Sequence, residues 1–379
     1  MSTQFQRGIH IILLILCTVL ILTTACTANA PKESTPPAHP SPTSVMTING
    51  SYHAEHNSSF RRPVDRIISQ NDDATELLIA IGASDKIVGI TGTATKKPYL
   101  QEKIPRAESI GDWLYPDVET ILALKPDVIV AYSTSRPRNL DKLQNENISI
   151  VYCDSYRLNS LASDARVLGQ LSGSVEGSQH YVDFHNRYFD LIDSRISTIP
   201  KEKKLRVYAE AYSDYSVMTE RSAGGQMLEA LQVRNIYGNH TSDWATVSPE
   251  WVIAENPDVI IKFATDPAKG ENMSSVRSRI INRPGYSTIS AVKNNRVYVM
   301  NGEIGSSPRA VIGLAYAAKA IYPDMFTDID PMDLLTYYNR EFVPGSTDLA
   351  EAFEPDLGKN SGNETPVRVA DKQFPPSFE

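Results

Sequence analysis

Hydrophobic and polar positions along the chain fall into distinct regimes. Ile9 to Leu22 (IHIILLILCTVLIL) is an almost wholly apolar run of about 14 residues. That is too short to span a ~30 Å hydrocarbon core but suits the core of an export signal. Residues 27–62 carry TPPAHPSPTS and then a polar stretch without helical or strand period, which reads as a semi-extended spacer. Patterned sequence follows from residue 64. Arg66-Ile67-Ile68 predicts a strand, Asp73 to Ile81 a helix ended by Gly82, and Lys86 to Ile90 a second strand. Strands alternating with helices predict an α/β fold.

The body contains an internal repeat. Residues 112–132 (DWLYPDVETILALKPDVIVAY) match residues 243–263 (DWATVSPEWVIAENPDVIIKF) without a gap, at a constant offset of 131. Asp112, Trp113, Glu119, Ala123, Pro126, Asp127, Val128 and Ile129 recur as Asp243, Trp244, Glu250, Ala254, Pro257, Asp258, Val259 and Ile260. Each copy predicts a short amphipathic helix stopped by a proline, because the residue before proline is pushed out of the helical region. Each then enters an apolar, β-branched run of the kind found in strands buried on both faces. Two similarly built lobes follow, about 64–171 and 204–326, each with a parallel-type sheet flanked by helices.

Between them, Tyr181, Phe184, Tyr188, Ile192, Ile196 and Ile199 recur every three or four residues and mark one amphipathic face over Ser174 to Ile199. A single helix of that length would reach ~39 Å and join both lobes across a ligand cleft; a broken pair of helices has the same periodicity. PMDLLTYYNREF predicts an added helix over 327–342, and the polar, Pro/Gly-punctuated sequence at 343–379 predicts a disordered tail.

Charge and cysteine content narrow the function. The chain has 379 residues, 41% hydrophobic and 22% charged, with 37 Lys+Arg against 45 Asp+Glu. A net charge of −8 without a basic run is a poor match to nucleic acid. Three cysteines exclude a disulfide framework. Cys17 lies in the signal core. Cys26, after Leu22-Thr23-Thr24-Ala25, stands where a lipobox cysteine is lipidated, ordinary signal cleavage near Ala25 or Ala30 being the alternative. Cys153 follows the strand-like Ile150-Val151-Tyr152 and reads as a buried hydrophobe. His39, His53 and His56 lie in the spacer, His180 and His185 on the linker helix, and only His240 near a cleft, so direct binding of a bare transition metal is not expected. Gly-x-Ser-x-Gly, Gly-Lys-Ser/Thr and His-Glu-x-x-His are all absent, and the residues point away from an enzyme.

RIISQNDDATELLIAIGASDKIVGIT, IGDWLYPDVETILALKPDVIVAY and VSPEWVIAENPDVII together resemble the helical-backbone (class III) periplasmic binding proteins, which serve ABC importers of vitamin B12, ferric siderophores and haem. The resemblance covers roughly residues 63–326. It implies a monomeric capture protein, with no intrinsic cofactor and no directly bound metal, held at the outer face of the cytoplasmic membrane through Cys26. Its partners would be a permease dimer and the ATPase subunits.

The resemblance also implies site roles. Glu119 and Glu250 match the carboxylates that dock on the permease. Trp113 and Trp244 match aromatic positions that face the ligand in B12-binding members; in hydroxamate-siderophore members the first is an arginine. Tyr212 and Tyr215 fall in the matching second-lobe loop, and Lys97 and Tyr99 fall where B12 members carry a tyrosine. Arg136 would attract an anionic chelate. Glu303 and Arg309 lie in the last cleft loop, where Ser307-Pro308-Arg309 matches B12 members but the bulky aromatic and acidic residues before it are missing. The expected ligand is an iron chelate, ferric siderophore or haem. A corrinoid is the alternative ligand, and a ligand sensor for a membrane receptor, without transport, the alternative of a different class.

Overall fold

The computed structural model describes residues 45–47, 59–61, 63–143, 148–238, 244–264, 272–346, 352–354 and 357. Cys26, His39, His53, His56 and His240 lie outside them. In chain order, β1 (Val45–Thr47) and β2 (Ser59–Arg61) pair antiparallel. The spacer therefore contains a paired element that its lack of period did not suggest; three residues a side are too few to show one.

The first lobe comprises β3 (Ile67–Ser69), α1 (Asp72–Ala80), β4 (Ile87–Ile90), α2 (Pro98–Lys103), β5 (Glu108–Ser109), α3 (Val118–Leu124), β6 (Val128–Ala131), β7 (Ser149–Tyr152) and α4 (Leu161–Ser172). Its sheet runs β5-β4-β3-β6-β7, every pair parallel. The chain moves outward from β3 in one direction and then restarts at β6 on the other side. That reversal opens a crevice at the carboxyl ends of the strands.

A single unbroken helix, α5 (Val175–Ile196), then carries the chain across. At ~1.5 Å per residue it spans about 33 Å. Tyr181, Phe184, Tyr188, Ile192 and Ile196 are its buried stripe.

The second lobe comprises β8 (Arg206–Glu210), β9 (Ser216–Met218), α6 (Ala223–Ala230), β10 (Arg234–Asn235), β11 (Trp244–Thr246), α7 (Pro249–Glu255), β12 (Val259–Ala264), α8 (Met273–Ile281), α9 (Ser290–Lys293), β13 (Val297–Asn301), α10 (Gly302–Gly305) and α11 (Ala310–Ile321). Strand order is β11-β9-β8-β12-β13-β14, the last being Phe353–Glu354 beyond the lobe in sequence, with β10 also beside β8. β8, β10, β12 and β13 pair parallel, whereas β9, β11 and β14 add antiparallel pairings at the margins.

The repeat folds twice into one local structure. Lys125 (φ 47°) and Asn256 (φ 44°) end α3 and α7 in the left-handed conformation. The aspartate after each proline then clamps a neighbouring strand. The Asp127 carboxylate accepts from the Asp65 and Arg66 amides at 2.9 and 2.8 Å, and that of Asp258 accepts from the Arg206 amide at 2.9 Å. The Pro-Asp pair thus stops a helix and pins the entry of the central strand of its lobe.

One hydrophobic core continues through the first lobe, α5 and much of the second lobe. α12 (Pro331–Glu341) packs back onto α5, with Phe184 stacked on Tyr337 at 5.6 Å and Tyr181 edge-on to Phe342 at 5.7 Å. The predicted disordered tail also needs correcting. Val343 is fully buried, and β14 (Phe353–Glu354) pairs with β13. Phe353 stacks on Tyr316 with centroids 4.3 Å apart, and that ring contact ties down a polar segment whose composition suggested none.

Beneath the crevice the lobes meet in a buried polar knot. Arg309, 0% exposed, sits with its Nε 2.9 Å from Glu76 Oε1. The approach lacks hydrogen-bond alignment, and Nη1 has no partner among the described residues. Glu76 also accepts from the Tyr99 hydroxyl at 2.9 Å and the Tyr338 hydroxyl at 3.0 Å. The Arg309 guanidinium lies over both those rings, and Tyr181 donates to the Pro308 carbonyl at 2.6 Å. Burial would lower the Arg309 pKa, but Glu76, Tyr99, Tyr338 and Glu303 together outweigh it and hold the charge.

Candidate functional site

A cavity of about 650 Å³ opens between the lobes, where the carboxyl ends of both sets of strands converge. That volume is in the range of sites for drug-sized ligands. Much of each wall is made of residues at or just beyond strand ends.

On the first lobe, the residues after β5, β6 and β7 deliver Trp113, Tyr132 and Tyr156. Trp113 meets Tyr132 edge-on at 6.0 Å and 89°, and Tyr132 meets Tyr156 at 5.9 Å. The Gln70 amide holds the Trp113 carbonyl at 3.1 Å. The Tyr132 hydroxyl donates to Asp73 Oδ2 at 2.9 Å. These bonds fix a three-ring aromatic wall.

α1 points its N-terminus into the cavity. The Asn71 side chain caps it by accepting from the Ala74 amide at 2.9 Å. Asp72 and Asp73 then occupy the first turn, where the helix dipole favours carboxylates. Asp72 accepts from the Thr91 and Thr93 hydroxyls. Burial raises the Asp73 pKa well above the ordinary aspartate value, although Lys97 opposes the shift.

From the second lobe come Tyr212 after β8, Ala264 ending β12, Asn301 ending β13, and Gly302 and Glu303 after it. Gly302 has a packing reason. A Cβ there would lie 2.3 Å from Tyr212 Cε1, so only glycine lets the Tyr212 ring lie over the start of α10. Burial, and then Asp73, push the Tyr212 hydroxyl up to about 12. It stays a neutral donor at physiological pH, a poor candidate for a tyrosinate metal ligand. Asn301 is 1% exposed; its Oδ1 caps α10 by accepting from the Glu303 amide at 2.9 Å, while its Nδ2 has no partner among the described residues.

Across the floor, Lys97 of the first lobe reaches Glu303 of the second at 3.0 Å and Asp72 at 3.7 Å. Burial would lower the Lys97 pKa, but Glu303, Asp72 and Asp73 outweigh it and hold the ammonium charged. This ion pair links the lobes at the cavity itself.

The structure brings Trp113, Lys97, Tyr212 and Glu303 together in the lining of the cavity. Four other candidates point elsewhere. Tyr99 and Arg309 are buried in the knot beneath the cavity, Tyr99 donating to Glu76 and Arg309 ion-paired with it. Tyr215 takes a left-handed turn (φ 61°) that swings its ring under Arg283 and against Tyr286, in a separate core cluster of the second lobe. Arg136 is exposed and lies over the Tyr152 ring at 4.7 Å, outside the lining. The Trp244 backbone starts β11 rather than a loop, paired with Met218; its side chain lies outside the described residues. Asp72, Asp73, Tyr132, Tyr156 and Asn301 were not anticipated. Their signal was positional, since each ends a strand or stands within a few residues of a strand's end, where α/β sheets bind ligands.

Glu119 and Glu250 are exposed in the first turns of α3 and α7, equivalent places in the two lobes. Asp117 and Ser248 cap those helices, accepting from the Glu119 and Thr120 amides and from the Trp251 amide. No group of three or more His, Cys, Asp or Glu able to hold a metal ion occurs among the described residues. Cys153 is a free, buried thiol whose pKa burial pushes up.

Residues 67–303 match the family described as periplasmic binding protein. An uncharacterized ABC transporter substrate-binding lipoprotein from Bacillus subtilis is 26% identical over 71% of this chain and 84% of its own. A vitamin B12-binding protein from Yersinia pestis is 29% identical over 56% of this chain and 73% of its own. Among solved structures, a possible iron-binding, periplasmic solute-binding protein from Staphylococcus epidermidis superposes with a TM-score of 0.54 at 27% identity, over 69% of this chain and all of the other.

Proposed function

The chain belongs to the periplasmic binding protein family, in its class III branch of ABC-importer substrate-binding proteins, and from that premise we propose that it captures an organic metal chelate between its lobes and hands it to a membrane permease. The observation that carries this reading is the cavity of about 650 Å³ lined by Trp113, Tyr132, Tyr156 and Tyr212. Flat aromatic faces suit a large, semi-apolar ligand. The ligand is an iron chelate. A corrinoid is the second reading, favoured by the vitamin B12-binding relative and by the ring wall. The metal arrives inside its chelator, since the cavity supplies rings, hydroxyls and paired charges rather than a cluster of metal ligands.

Delivery rests on Glu119 and Glu250. Equivalent carboxylates on two lobes match a partner with two-fold symmetry, and exposed charge pairs of this kind steer and register docking. Tyr115, 61% exposed, stands four residues before Glu119 and adds an apolar contact. Lipidation of Cys26 tethers the protein beside the permease and its ATPase. Among the described residues, no helix is long and apolar enough to cross a membrane.

The test is the double variant Glu119→Arg, Glu250→Arg in cells that depend on chelate uptake. Uptake is lost while the purified protein keeps its ligand affinity. Normal uptake by that variant removes the docking assignment.

A further inference from the structure

The charge of the cavity restricts what it can hold. Its described lining has three carboxyl groups (Asp72, Glu303 and Asp73, the last pushed toward its neutral form by burial), one ammonium (Lys97), and no arginine or histidine. Lys97 is committed to Glu303 and Asp72. A helix N-terminus facing a cavity usually attracts anions, but here Asp72 and Asp73 fill the first turn of α1. Arg309 and Arg136, expected at the cleft from sequence, and Arg157, next to the lining residue Tyr156, are engaged elsewhere. Arg309 is buried with Glu76, Arg157 contacts Asp154 and the Arg221 carbonyl, and Arg136 lies over Tyr152.

Two further observations bear on the ligand. The unpartnered Asn301 Nδ2 is a buried donor in the cavity lining, and its orientation is fixed because Oδ1 caps α10. A buried donor without an acceptor is costly, so a ligand oxygen that reached it would be strongly preferred. The aromatic wall adds faces whose negative quadrupole attracts cations.

We propose, resting on the capture function above, that the ligand is an amide-bearing metal chelate of zero or positive net charge, with a carbonyl or hydroxamate oxygen for Asn301 and amide or ammonium donors for the carboxylates. Two kinds of molecule share this chemistry: an amide-decorated corrinoid, and a ferric trihydroxamate with a protonated amine. Chelates bearing free carboxylates or ionised catechols, including haem with its two propionates, are disfavoured.

The test is a fluorescence titration of the purified protein with four probes: cobinamide, a cationic ferric trihydroxamate, haem and ferric citrate. At least one of the first two binds at least about tenfold more tightly than either anion, the scale of a unit-charge contact in a half-exposed cleft. Which of the two it is identifies the source. Glu303→Gln weakens the cationic probe severalfold, and Asn301→Ala weakens whichever probe binds. Comparable or tighter binding of haem or ferric citrate overturns the charge assignment while leaving capture intact. If none of the four binds, the capture function fails and this inference with it.

Discussion

Replacing Arg309 by methionine tests the knot that joins the lobes beneath the cavity. The substitution removes the cation beside the buried Glu76 carboxyl, leaving Glu76 with the Tyr99 and Tyr338 hydroxyls. The buried charge then persists uncompensated or takes up a proton. Protonating a carboxyl of ordinary glutamate pKa near 4.3 at pH 7 costs about 3.7 kcal/mol, within the roughly 3–5 kcal/mol seen when one partner of a buried pair is deleted. A neutral carboxyl carries no such penalty, so the loss shrinks as pH falls. Urea denaturation of Arg309→Met should show a loss of about 3–4 kcal/mol at pH 7, shrinking by about 2 to 3 kcal/mol at pH 5. Adding Glu76→Gln should recover about half the loss or more, because no charge remains buried. A loss below about 1 kcal/mol, or one that does not change with pH, refutes the reasoning.

Two other perturbations read different parts of the molecule. Gly302→Ala places a methyl where the Tyr212 ring lies. Tyr212 is 43% exposed and can swing aside, so stability should change by under about 1 kcal/mol while chelate affinity falls about three- to tenfold; unchanged affinity removes Tyr212 from the site. Asp164 and His185 give opposite pH slopes. Burial raises Asp164 to about 7, so its contribution is present below pH 3.8 and is lost as pH rises toward 7. Burial, and then Arg166, lower His185 to about 4, so its contribution is present above pH 6.5 and is lost as pH falls toward 4. Between pH 4 and 6.5, stability relative to wild type should therefore rise with pH for Asp164→Asn and fall with pH for His185→Gln, each by up to about 3 kcal/mol. Parallel profiles contradict that account.

The sequence was most legible where physics repeats itself. A second copy of Glu-x-x-x-Ala-x-x-Pro-Asp marked equivalent helices and buried strands in both lobes, and the Tyr181 to Ile196 stripe marked the helix between them. The site was less legible because its residues owe their place to topology. Tyr132 reads as the last residue of a strand, and Asp72 and Asp73 read as an ordinary helix start. Only the convergence of strand ends makes them a cavity wall. Arg309 and Tyr99 read as cleft residues in sequence, yet both are buried against Glu76, which accepts from the Tyr99 hydroxyl and pairs with the Arg309 charge. Tyr215 was misplaced by one backbone angle. The C-terminal strand was hidden because Phe353 is an isolated aromatic in a polar stretch, and the ring it stacks on lies 37 residues earlier.

Capture in the cleft is the central claim, and calorimetric titration of the purified protein with its tightest-binding metal chelate tests it most directly. The account predicts one site per chain and a loss of about tenfold or more in affinity for Trp113→Ala, the upper range for removing an aromatic contact that walls a pocket. Saturable binding with unchanged affinity in that variant would place the ligand outside the cleft and contradict the account.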